Sequence, residues 1–204
     1  MVVAVESNTS RKHVVETMVK VQQKIKGDDI YWKKWLWDAG KPTMLVLANY
    51  PASKNVLEED LTGILIRNAV LERGDYGGVV IANLFTRPVN WPSDKSLSAA
   101  FAEDGMTELV KVCREADQVV IAVGSLPSRS LVALARIQEF WQACKKEEMV
   151  KKVTLLVNSK GKPVHPLAIC NEPWQFSSWK VDWMGGTDTN EQSLPESDEG
   201  RKGV

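Results

Sequence analysis

Three polar side chains stand where apolar runs stop. Asn49 ends the run Thr43 to Ala48 and is followed by Tyr50 and Pro51; Asn83 closes the strand-like segment of GVVIANLF; His165 follows the run and turn VTLLVNSKGKPVHP. A carboxamide offers a donor and an acceptor side by side, and an imidazole donates a hydrogen bond whether neutral or charged. If the three runs are strands of one sheet, all three side chains lie at carboxyl ends, where open α/β sheets meet their ligands, and they converge on one small planar ligand. Each has a plainer reading as well. Asparagine satisfies backbone groups in turns, and His165 can be a hydrogen-bonded loop residue fixed by its flanking prolines.

The elements that must position these residues follow from periodicity. Val14, Met18, Val21 and Ile25 at helical spacing predict a helix over His13 to Lys26, with Ser10 as cap and Gly27-Asp28-Asp29 as stop. In IYWKKWLWDAGKP, Tyr31, Trp32, Trp35 and Trp37 lie among lysines. That pattern fits an edge strand with its aromatics on the core, or a base-stacking and phosphate-binding surface. After the strand at 43–48, Leu57, Leu61, Leu65 and Ala69 form an apolar stripe that Gly74 ends. A second strand, Gly78 to Asn83, leads into a long proline-punctuated loop, of a length that is often functional. Then come a helix around Asp104 to Ala116, a third strand Gln118 to Gly124, a helix from Ser128 to Met149 and a fourth strand Val153 to Asn158. Trp174, Trp179 and Trp183 cover a face or an edge.

This is βαβ grammar, and it predicts a three-layer α/β/α sandwich with a roughly four-stranded, mainly parallel sheet. The expected organisation is an N-terminal helix in 1–30, one α/β domain in 31–184 and a disordered polar tail in 185–204.

Composition narrows the function. With 44% hydrophobic and 25% charged residues, the 204-residue chain has material for one good core. Its 26 basic residues equal its 26 acidic ones, which argues against a strongly basic nucleic-acid binder but leaves room for a local patch. Cys113, Cys144 and Cys170 lie far apart in odd number and read as reduced thiols of a cytosolic protein. Neither a zinc site, a signal peptide nor a membrane span is indicated, and no cofactor motif is found.

The segments WDAGKP (37–42), VLANYPAS (46–53), EDLT (59–62), YGGVVIANLFTRPVNWP (76–92), Val123-Gly124 and NSKGKPVHPL (158–167) together resemble a bacterial and phage family, Domain of Unknown Function 1643. Two departures stand out: Tyr50 is inserted where that family places asparagine directly before proline, and Val123-Gly124 lacks a tryptophan. More distantly, the order of elements is similar to the uracil-DNA glycosylase superfamily. That resemblance places Asn49 and Pro51 at the loop that positions the attacking water, Asn83 at the residue that reads the base, and His165-Pro166 at the loop that touches the leaving base or the DNA.

The chemistry this implies is hydrolysis of an N-glycosidic bond. Such a site holds a water on one face of a sugar cation and stabilises negative charge on the departing base. Asn49 would orient water through its carbonyl without deprotonating it, and His165 would donate to the developing anion. Asn83 would read a base edge, Tyr50 or Phe85 would stack on the ring, and Arg87 with Lys160 or Lys162 would hold phosphates. The leading expectation is therefore a glycosylase-like enzyme acting on a damaged or modified base, in DNA, without metal or redox cofactor. A non-catalytic nucleotide or nucleic-acid binding module and a tryptophan-rich protein interaction module are the alternatives. Oligomeric state is not addressed by the sequence.

Overall fold

The computed structural model describes residues 15–178. Four apolar runs form the centre of the sheet: β3 (Thr43–Ala48), β4 (Gly78–Asn83), β5 (Gln118–Ile121) and β6 (Val153–Val157). They lie side by side in the order β4-β3-β5-β6, all parallel, and are buried along most of their length. Continuous apolar runs suit parallel strands because helices cover both faces. Around this centre the sheet is wider than expected. Two antiparallel strands, β1 (Lys20–Lys26) and β2 (Asp29–Leu36), extend it beyond β4, and β7 (Gln175–Ser178) adds an antiparallel edge beyond β6. The protein is thus an α/β fold with a seven-stranded mixed sheet and four α-helices among the described residues.

Connection handedness sorts the helices. From β3 the chain crosses through α1 (Leu61–Arg73) to β4 on one side; it later crosses through α2 (Asp94–Ser98) and α3 (Gly105–Glu115) to β5 on the other side, and through α4 (Leu131–Lys146) to β6. Right-handed crossovers running in opposite directions must use opposite faces. Two cores result. On one face Leu109, Cys113, Ile137 and Phe140 of α3 and α4 pack on Leu45, Leu47, Val80 and Ile121; on the other, Ile66 and Val70 of α1 join Val46, Val79 and Leu156.

The helix termini match their sequence signals. Asp60 caps α1 by accepting from the Gly63 N–H at 2.7 Å, and Gly74 closes it at φ 72°. Ser130 caps α4 in the same way through the Ala133 N–H. The apolar stripe expected through Leu57, Leu61, Leu65 and Ala69 is not the buried face of α1: Leu57 lies before the helix, Leu57 and Leu61 are exposed, and the helix instead buries Gly63, Ile66 and Val70.

The expected helix over His13 to Lys26 is absent. Residues 15–19 have no regular structure, and Lys20–Lys26 is strand β1, paired antiparallel with β2 across Gly27-Asp28. Gly27, at φ 60°, takes the first position of that two-residue hairpin turn instead of ending a helix. Val21, Gln23 and Ile25 alternate as well as Val21 and Ile25 repeat, so only the pairing with β2 decides between the two structures. The segment at 31–37 is an interior strand, not an edge: Tyr31 and Trp35 are buried, and Trp32 and Trp37 pack against the cores. Ser10, Trp179, Trp183 and the tail from 185 lie outside the described residues.

Candidate functional site

Asn49 and Asn83 are near neighbours at the carboxyl edge of the sheet. Ala48 pairs with Asn83 in the β3–β4 ladder, and the strands continue together as the Leu84 N–H donates to Ala48 O and the Phe85 N–H to Asn49 O, both at 2.9 Å. Register then separates the side chains. Ala48 and Asn83 share one side of the pleat and both line a pocket of about 490 Å3, open mouth included, whereas Asn49 falls one step further on and does not line it.

The pocket lies on the α1 face, beside the first turn of that helix, where the sheet extends from β4 through β2 to β1. Its floor is Gln23, Lys33, Ile81 and Asn83; Tyr50 and the segment before α1, including Glu59 and Asp60, close over it. Tyr50, the insertion noted in the sequence, is therefore a pocket residue. Neither the Asn83 carboxamide nor the Tyr50 hydroxyl hydrogen-bonds to another described residue. Gln23 donates from Nε2 to Ser53 O at 3.1 Å, which leaves its buried Oε1 without a partner.

Lys33 and Glu59 were not singled out in the sequence, and they carry the pocket's charge. The Lys33 ammonium lies 4.8 Å from the centre of the Trp35 ring, donates to Glu58 O and sits 3.5 Å from the Glu59 carboxylate, with both side chains largely buried at 11% and 16% exposure. Arg67 of α1 is 3.8 Å from the same carboxylate. Burial nevertheless pushes the Glu59 carboxyl above its ordinary range, outweighing the pull of Lys33 and Arg67. Gly63 makes room for it, since a Cβ there would stand 2.5 Å from Glu59 Oε1.

His165 occupies the next corner of the same edge. It rests on Gly124 just past β5, where a Cβ would meet its own Cβ at 2.9 Å, and it does not line the pocket. Its Nδ1 accepts from the Leu167 N–H at 3.3 Å, so in the neutral ring the proton is on Nε2. Burial lowers its pKa and the charge of Asp60 partly restores it, so the imidazole is neutral near pH 7. Asp60, which also lines the pocket, is the group that links the two corners. Asn49 Oδ1 is buried without a hydrogen-bond partner.

The remaining candidates lie elsewhere. Phe85 is fully buried in the larger core, 6.3 Å from the Phe101 ring, and presents no face to a ligand. Arg87 is committed to the protein: its Nε and Nη2 donate to the two oxygens of Asp29 at 2.9 and 3.1 Å, and Nη1 donates to Ala99 O. Thr86 completes this knot by donating to Asp29 Oδ1 and accepting from the Ala102 N–H. Lys160 and Lys162 are exposed in the turn after β6, shaped by Asn158 Oδ1 accepting from both of their backbone N–H groups at 3.0 Å. Their ammonium groups pair with no described residue. Cys113 and Cys144 are buried, and burial pushes both thiols up, Cys144 to about 12, so neither is a nucleophile at neutral pH. No group of three metal-ligating side chains occurs among the described residues, and no described helix is long and apolar enough to cross a membrane.

Residues 30–167 match a family profile described as "Protein of unknown function (DUF1643)". The chain belongs to the DUF1643 family. No curated protein and no solved structure matches it. The DUF1643 segment runs from β2 to the His165 loop and holds every lining residue of the pocket except Gln23, which β1 adds from outside it.

Proposed function

We propose that the Asn83 pocket binds a nucleobase, carried by DNA or by a nucleotide, and that the leading activity is hydrolysis of the N-glycosidic bond of a damaged or modified base. The observation that carries this reading is Asn83 itself. Its carboxamide lines the pocket with donor and acceptor both unspent among the described residues, the edge readout that a flipped base needs, while Tyr50, also in the lining, packs against the larger core. The parallel order β4-β3-β5-β6, with helices on both faces, supports a three-layer, uracil-DNA-glycosylase-like arrangement. His165, neutral with its proton on Nε2, is suited to donate to a departing base, and exposed Lys160 and Lys162 on the same edge are suited to phosphates.

A second reading has its own support. Asn49 and His165 do not line the pocket, so a base could be held there without being cut, which is the behaviour of a nucleotide-binding module. The tryptophan-rich interaction surface is disfavoured because the aromatics at 31–37 are spent on the two cores.

The deciding experiment is base release from single- and double-stranded DNAs carrying uracil, oxidised, alkylated and glucosylated bases, with wild type beside Asn83→Ala and His165→Ala. Release by wild type that both substitutions abolish, with folding intact, supports the hydrolase. Binding that Asn83→Ala removes, without release from any DNA, replaces it by the binding module.

A further inference from the structure

We infer that the base read in this pocket is guanine-like, a ring whose edge carries two adjacent N–H donors beside a carbonyl oxygen. The inference rests on the nucleobase reading above and names its substrate class. It follows from the balance of hydrogen-bonding groups that face the cavity. On the acceptor side stands the Glu59 carboxylate. Glu59 is held only loosely by the protein: Lys33 and Arg67 stand 3.5 and 3.8 Å from its two carboxylate oxygens, which keep lone pairs for a ligand. On the donor side the Lys33 ammonium, held by the Trp35 ring and Glu58 O, keeps protons to give.

A partly desolvated carboxylate is satisfied best by two parallel N–H groups, as when it meets the fork of a guanidinium. Guanine presents that fork with N1–H and N2–H, and its O6 lies on the side from which a lysine donates. Uracil and thymine bring one N–H between two carbonyls, so one carbonyl would face the carboxylate. Adenine and cytosine bring one amino group beside a ring nitrogen acceptor, with the same conflict. Asn83, ambivalent by rotation, fits any of them and does not discriminate. Modifications at N7 or C8 leave the read edge intact, so damaged guanines stay within this class.

The test measures equilibrium binding of guanosine, inosine, adenosine, cytidine and uridine to the full chain by calorimetry, and repeats it with Glu59→Gln. Inosine differs from guanosine only in lacking the 2-amino group, so this comparison needs no variant. Expected is guanosine affinity about tenfold or more above the other four, reflecting one lost bidentate contact, with the advantage removed by Glu59→Gln. Nucleosides that bind with no preference for guanosine over inosine, or a preference that survives Glu59→Gln, overturn the guanine assignment and leave the nucleobase reading standing. Absence of binding by all five overturns both.

Discussion

The two faces of the sheet are built to different ends. One carries α2, α3 and α4 and is sealed by the larger core, with Phe85, Leu97, Ile137 and Phe140 almost wholly inaccessible. The other carries α1 and a short 3-10 turn over the smaller core, while the sheet beneath it has been widened by β1 and β2. A single α-helix cannot cover that width. The uncovered strip under Tyr50 and Glu59 is where charged and amide side chains face a cavity. Coverage, more than any special motif, thus sets where this fold can take a ligand, and stability and binding should respond to different residues.

The comparison is broken most severely on the sealed face. Phe85→Ala should cost about 3–5 kcal/mol by opening a large cavity, read as a fall in the denaturation midpoint. If Phe85 were a stacking residue, the substitution would instead spare stability and weaken binding. A smaller effect is expected where that face is tied to the hairpin: Thr86→Val removes one buried hydroxyl that both donates to Asp29 and supports Ala102, at about 1–3 kcal/mol.

On the open face the effect on stability should reverse. Glu59 has a folded pKa above its ordinary 4.5, so the folded state holds the proton more tightly than the unfolded one. Its contribution is present below pH 4.5 and lost as pH rises through the folded value. Glu59→Gln should therefore be no less stable than wild type at pH 7, while losing ligand. A marked drop in melting temperature at pH 7 would show that the Lys33 pair outweighs burial.

His165 gives the smallest and opposite signal. Its folded pKa lies below 6.5, so the unfolded chain binds the proton more readily and stability falls as pH drops below 6.5 toward the folded value. His165→Asn should flatten the stability profile in that window alone. An unchanged acid slope would mean that the ring is solvated.

The parallel centre was legible in the sequence because strands buried on both faces read as unbroken apolar runs, and the stop at Gly74 carries a local backbone reason. What failed was non-local. Strand β1 satisfies two periods at once, and its partner lies beyond a turn that reads equally well as a helix stop. The site was half legible. Asn83 and Tyr50 were found from their place at strand ends, but whether Asn49 joins them depends on pleat parity, which needs the β3–β4 register. Lys33 looks like any lysine on a half-buried strand until Glu59 arrives from a segment far along the chain.

Strand β1 has a consequence in time. It is the outermost strand, paired with β2 and tied to α3 through Lys24–Glu108 and Lys26–Asp104, yet it supplies Gln23 to the cavity. Edge strands open locally at lower free energy than the centre of a sheet, so the lifetime of this wall, measured by amide hydrogen exchange from Val21 to Ile25, sets how long the cavity keeps its shape. A ligand packed against that wall holds it shut, and protection should rise in β1 while β3 and β5, already deep in the sheet, exchange as slowly as before.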